Sequence, residues 1–120
     1  VVKSYKDLKV WQKAMHVTKE IYTQTQNFPK EEAFGLTSQI RRSVTSIPSN
    51  IAEGHARSYT KDYLRFISIA QGSLAELETQ LILAIELNFS KKEDIENILN
   101  ELDEIGRMLS GLKKSLDTKN

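Results

Sequence analysis

Two apolar rows set the limits on what this chain can fold into. Tyr63, Ile67, Ala70, Leu74, Leu77, Leu81 and Ala84 alternate three and four residues apart. Ile95, Ile98, Leu102, Ile105, Leu109, Leu112 and Leu116 repeat the pattern without interruption. Each row is a heptad seam on one face of a long helix, and such a face is stable only against other helices. Only two prolines and five glycines occur in 120 residues, which disfavours a many-turned β protein. The chain suffices for one sizeable core but not two.

Two further helices complete the pattern. The first is expected over about residues 7–26. There Leu8, Trp11, Met15 and Tyr22 form one apolar row beside Val10, Ala14, Val17 and Ile21, with Lys9, Lys13, His16 and Glu20 on the other face. The second is expected over about residues 31–53, with Pro29 and the following acids at its start, Pro48 kinking its interior and Gly54 as its stop. Ser46 or Ser49 would help to satisfy carbonyls freed by Pro48. The third and fourth helices are placed at about residues 60–88 and 91–116. Ser58 or Thr60 would cap the third and a Ser90–Glu93 capping box the fourth, with Asp117–Asn120 a frayed tail. Short connections make consecutive helices antiparallel. The expected fold is therefore all-α, a single up-down-up-down four-helix bundle over residues 1–120.

The second helix is unusual in its polar residues. Gln39, Ser43, Ser46 and Asn50 recur directly beside Leu36, Ile40, Val44, Ile47 and Ile51, where an ordinary amphipathic helix changes to charge. This predicts a hydrogen-bonded seam against a closely packed helix. Ser68, Gly72, Ala75 and Thr79 form a small-residue row on the third helix, either a second close approach or plain surface.

Signals for chemistry are sparse. Without cysteine there is no disulfide, thiol catalysis or Cys-ligated zinc. His16 and His55 are the only histidines and form no His-Glu-x-x-His pair, so both read as solvated or locally hydrogen-bonded, and neither a metal nor a cofactor is expected. Glu53, Glu76 and Glu78 lack an accompanying nucleophile. Glu53 and Glu76 read as acceptors for helix-end amides, Asn50, Ser73 or arginines. Gly35 and Gly72-Ser73 lack the remainder of a phosphate-binding loop. No catalytic site is expected.

Charge is unevenly distributed. Residues 1–66 hold eleven Lys/Arg and six Asp/Glu, and residues 67–120 hold six and ten, giving +5 and −4. This asymmetry can steer an anionic partner, drive contact between identical subunits, or be mixed over the folded surface. Arg41, Arg42, Arg57, Lys61 and Arg65 are the best candidates for phosphate contacts, with Tyr59 and Tyr63 as possible stacking groups and Tyr63 better placed in the core. No run of eighteen apolar residues exists, so no membrane span is expected. The polar opening residues do not suit a signal peptide, and the missing initiator methionine suggests trimming. A cytoplasmic setting fits.

Several blocks carry a family resemblance: Tyr5–Ala14, Phe34-Gly35-Leu36, Gln39–Ser43, Ser46-Ile47-Pro48-Ser49-Asn50-Ile51-Ala52-Glu53-Gly54 and Ile69–Glu78. Together they resemble the 23S rRNA intervening-sequence proteins over nearly the whole chain. The resemblance implies antiparallel four-helix bundles assembled as homopentamers, some encoded within intervening sequences of bacterial ribosomal RNA genes, with no established enzymatic activity. A related branch, the accessory proteins of diversity-generating retroelements, comprises basic pentameric barrels that bind nucleic acid and a reverse transcriptase. The present chain departs from that branch in its net charge of +1. The expectation is a non-enzymatic, self-associating protein with RNA-related accessory function, or alternatively a protein-binding scaffold without a nucleic-acid role. Candidate subunit or helix contacts are Gln39, Ser43, Asn50, Glu53, Gly72, Ser73 and Glu76.

Overall fold

Burial follows the apolar spacing closely. In the computed structural model, which describes residues 3–118, the helices are α1 (Lys9–Thr25), α2 (Leu36–His55), α3 (Thr60–Glu86) and α4 (Lys92–Asp117). Ile67, Ala70, Leu74, Leu77, Leu81 and Ala84 of α3 meet Ile95, Ile98, Leu102, Ile105 and Leu109 of α4 in one core, closed by Val10–Ile21 of α1 and Leu36–Ile51 of α2. Packing runs α1 to α2, α2 to α3, α3 to α4 and back from α4 to α1. Pairings such as Arg41 with Thr25 and Val44 with Thr18 make α1 and α2 antiparallel. The expected up-down-up-down bundle is what forms, 46 Å long and 24 by 20 Å across.

The helix ends differ from the expectations for local chemical reasons. Tyr5–Asp7 is a separate 3₁₀ turn, its Lys6 amide donating to Ser4 Oγ at 3.1 Å, and α1 begins only at Lys9. Lys30–Glu32 is likewise a 3₁₀ turn, so Pro29 does not start α2. Its acid still serves the helix: Glu32 Oε1 accepts the Leu36 amide at 3.1 Å. Gly54 lies inside α2 rather than ending it. Tyr59 occupies the N-cap of α3 and Lys91 that of α4, both without a side-chain cap bond, so neither Ser58, Thr60 nor the Ser90 box caps its helix. At the end of α3, Asn88 adopts φ 63°, while Phe89 N donates to Ala84 O and Asn88 N to Ile85 O. These two bonds form a Schellman motif, which ends α3 before residue 88. Of the expected frayed tail, residues 119 and 120 lie outside the described residues.

Two expectations about packing are corrected. Met15 and Tyr22 are exposed, so the core face of α1 is the Val10, Ala14, Val17, Ile21 row alone, with Leu8 and Trp11 at its margin. The carbonyl that Pro48 would free belongs to Val44, and the hydroxyl that approaches it is Thr18 Oγ1 from α1, at 3.5 Å, rather than Ser46 or Ser49. That hydroxyl bonds chiefly to Ala14 O at 2.7 Å.

Candidate functional site

The polar row of α2 closes against α3 as a chain of hydrogen bonds. Asn50 Nδ2 donates to Ser46 O at 2.7 Å and to Ser46 Oγ at 2.9 Å. Ser46 Oγ and Ser73 Oγ are 2.8 Å apart. Ser43 Oγ lies 3.0 Å from Glu76 Oε1 and 2.9 Å from the Gln80 carboxamide. A hydroxyl has one proton and the carboxylate is the stronger acceptor, so the set is satisfied when Gln80 presents its NH₂ to Ser43. Below this seam, a Cβ on Gly54 would stand 2.9 Å from both Phe66 Cβ and Tyr63 Cδ1. Glycine permits the two backbones to come this close.

Of the seven expected interface residues, Ser43, Asn50, Ser73 and Glu76 work within this one chain. Gln39 lines the outer groove of the seam with Arg42. Glu53 faces Arg57 at 3.5 Å rather than Asn50. Gly72 is exposed, with open space where a Cβ would stand. Gln80, a central member of the seam, falls outside the polar spacing of α2 and was not legible from it.

The basic residues form two groups. Arg57 and Arg65 both lie over the Phe66 ring, at 4.7 and 5.7 Å from its centroid, at the α2–α3 turn where Lys61 and Tyr59 are exposed. Arg41 is committed elsewhere. Its Nε donates to Thr25 Oγ1 at 2.9 Å and its guanidinium covers Tyr22 at 4.6 Å, tying α2 to the end of α1. Arg41 and Arg42 lie about 20 Å along α2 from Arg57 at the usual rise of a helix. The five therefore do not form one cluster. His55 ends α2, beyond the expected end at residue 53, its ring edge-on to Tyr63 at 5.8 Å. Burial pushes the half-buried Tyr63 phenol above its ordinary range.

A second polar edge, between α1 and α4, was not legible in sequence. His16 Nε2 lies 3.3 Å from Glu20 Oε1 and 3.8 Å from Glu101 Oε2, while Lys13 Nζ reaches Glu104 at 3.2 Å and Glu101 at 3.9 Å. Glu20 Oε1 and Glu101 Oε1 are both buried without a hydrogen-bond partner. Burial and the nearby Glu101 carboxyl hold Glu20 above the usual carboxylate range, with His16 and Lys13 opposing. The His16–Glu20 pair is an ordinary one-turn spacing, but nothing in a single sequence announces Glu101 opposite it.

Comparison with known proteins places this architecture. No curated protein matches the chain. A crystal structure from Bacteroides thetaiotaomicron, described as a protein of unknown function from the S23 ribosomal protein family, is 30% identical with a TM-score of 0.79, covering 88% of this chain and 98% of that one. The family model for 23S rRNA-intervening sequence proteins matches residues 6–111. With its bundle and nearly all its length so matched, the chain belongs to the 23S rRNA-intervening sequence protein family.

Proposed function

We propose that this protein acts by binding rather than catalysis, as a cytoplasmic, self-associating accessory protein that makes electrostatic contact with RNA through the α2–α3 turn. The observation that carries the reading is the exposed Tyr59 in the α2–α3 turn with Arg57, followed by the exposed Lys61 and Arg65 at the start of α3. Cations that meet phosphates beside an aromatic face that can stack on an unpaired base suit single-stranded or looped RNA. Glu53 offsets part of Arg57, so one copy binds weakly, and repetition around an oligomer raises the avidity. The family's expected number of copies is five. No described helix is long and apolar enough to cross a membrane.

Self-association is supported by the outer face of α3, where Ile69, Ile82 and Leu83 are nearly half exposed and Gly72 and Ala75 leave room for a neighbour. The same face favours a second reading, a scaffold for protein partners without RNA. Anisotropy of labelled structured RNA separates the two. Saturable binding should weaken steeply with salt, and the joint Arg57→Ala, Lys61→Ala, Arg65→Ala variant should flatten the log–log salt slope by about two to three. Unchanged binding by an assembled triple variant would refute this placement of the site. Gly72→Arg should leave the helix intact and reduce the mass measured by sedimentation equilibrium. An unchanged mass would exclude this face from assembly.

A further inference from the structure

The α1–α4 edge contains an arrangement that its own side chains do not satisfy. Glu20 Oε1 and Glu101 Oε1 have almost no solvent contact and no donor. His16 Nε2 is only 3.3 Å from Glu20 Oε1, yet that oxygen receives no hydrogen bond from it. One ligand atom from each of His16, Glu20 and Glu101 lies within 4.8 Å of the others. Lys13 and Glu104 also face this edge. Lys13 pairs most closely with Glu104, at 3.2 Å, and touches only the second oxygen of Glu101, at 3.9 Å. Thus Lys13 gives neither orphaned oxygen a hydrogen bond. A shared proton, a protonated His16 or a cation would each supply the missing positive partner.

We infer that His16, Glu20 and Glu101 bind a divalent transition-metal ion of the zinc type, bridging α1 and α4. An imidazole beside two carboxylates is a donor set such ions accept. Bonds of about 2.1 Å to a tetrahedral ion separate ligand atoms by about 3.4 Å. The observed 3.3 and 3.8 Å from His16 Nε2 lie near that edge length, so modest side-chain adjustment suffices. His16 is mostly exposed and gives an ion an entry path, with water completing its coordination. The ion would tie the first and last helices together and stabilise the folded chain by mass action.

Zinc chloride titrated calorimetrically into the untagged, chelator-treated full chain near neutral pH tests the site, with thermal unfolding followed in parallel. One ion per chain and a raised midpoint are expected. His16→Ala and Glu101→Gln should each weaken binding by at least tenfold. His55→Ala, which removes the other histidine, should leave it unchanged. Because His16 is exposed, its alanine variant folds even if Glu101→Gln does not. A shared proton in place of a metal predicts no zinc-dependent shift in midpoint. That result would overturn the inference, as would equal zinc binding by wild type and His16→Ala.

Discussion

The two polar edges of this bundle solve the same problem with opposite chemistry. Between α2 and α3, short side chains hydrogen-bond in sequence from Asn50 through Ser46 to Ser73, and from Ser43 to Glu76 and Gln80. Between α1 and α4, long charged groups converge and two carboxylate oxygens find no donor. Short hydroxyls fix one arrangement through the direction of their hydrogen bonds, whereas converging charged chains leave neutralisation to protons, ions and neighbours. The first edge specifies packing, and the second responds to what the solution contains.

The comparison breaks most readily at Gly54. If α2 and α3 are held by close backbone approach, Gly54→Val should cost about 3 kcal/mol through overpacking against Tyr63 and Phe66. Urea unfolding measures it, and a loss well under 1 kcal/mol would mean the pair has slack. Ser43→Ala should cost less, about 1–2 kcal/mol, by leaving the buried Gln80 carboxamide without its partner. The same experiment at high salt should give nearly the same loss for both, because neither removes an ion pair.

The two edges also differ in how far a sequence reveals them. Ser43, Ser46 and Asn50 announce a seam because small polar residues at helical spacing have no reason to border a core unless they are paired. Their partners on α3 are less visible: Ser73 lies in a recognisable block, while Gln80 reads as one more polar residue on an amphipathic helix. The heptad rows of α3 and α4 were legible because a core imposes its period on every turn. Helix ends were not, since Glu32, Asn88 and Tyr59 act through backbone geometry and contacts outside the helices they cap. The carboxylate pair was hidden because Glu20 and Glu101 are 81 positions apart, and only the register of α1 on α4 brings them together. The five candidate phosphate contacts divide into two groups for a related reason: the length of α2 separates Arg41 and Arg42 from Arg57, Lys61 and Arg65.

At the charged edge a substitution should act in the opposite direction. Glu20→Gln keeps the shape, removes one carboxylate and supplies a donor for the orphaned Glu101 oxygen. In chelator-treated protein it should stabilise by about 1 kcal/mol, the worth of one ordinary hydrogen bond. Destabilisation by Glu20→Gln would show that its pairing with His16 outweighs its conflict with Glu101, and the contrast between the edges would narrow.

The smallest effect tests whether that contrast extends to the α3–α4 edge. Burial first, and then the Asp103 carboxylate, hold Glu78 above the usual carboxylate range. A carboxyl raised in the fold binds its proton more tightly folded than unfolded. Its contribution is fully present below the unfolded value near 4.5 and is lost as pH rises through the folded value. Glu78→Gln should therefore be more stable than wild type at neutral pH, by less than about 1 kcal/mol for a group partly open to solvent. The gap should close as pH falls through the folded value towards 4.5. Asp103→Asn removes only the second cause and should recover the smaller share. A gap independent of pH would mean that the gain comes from helix propensity or packing, and the charged strain would then be confined to α1 and α4.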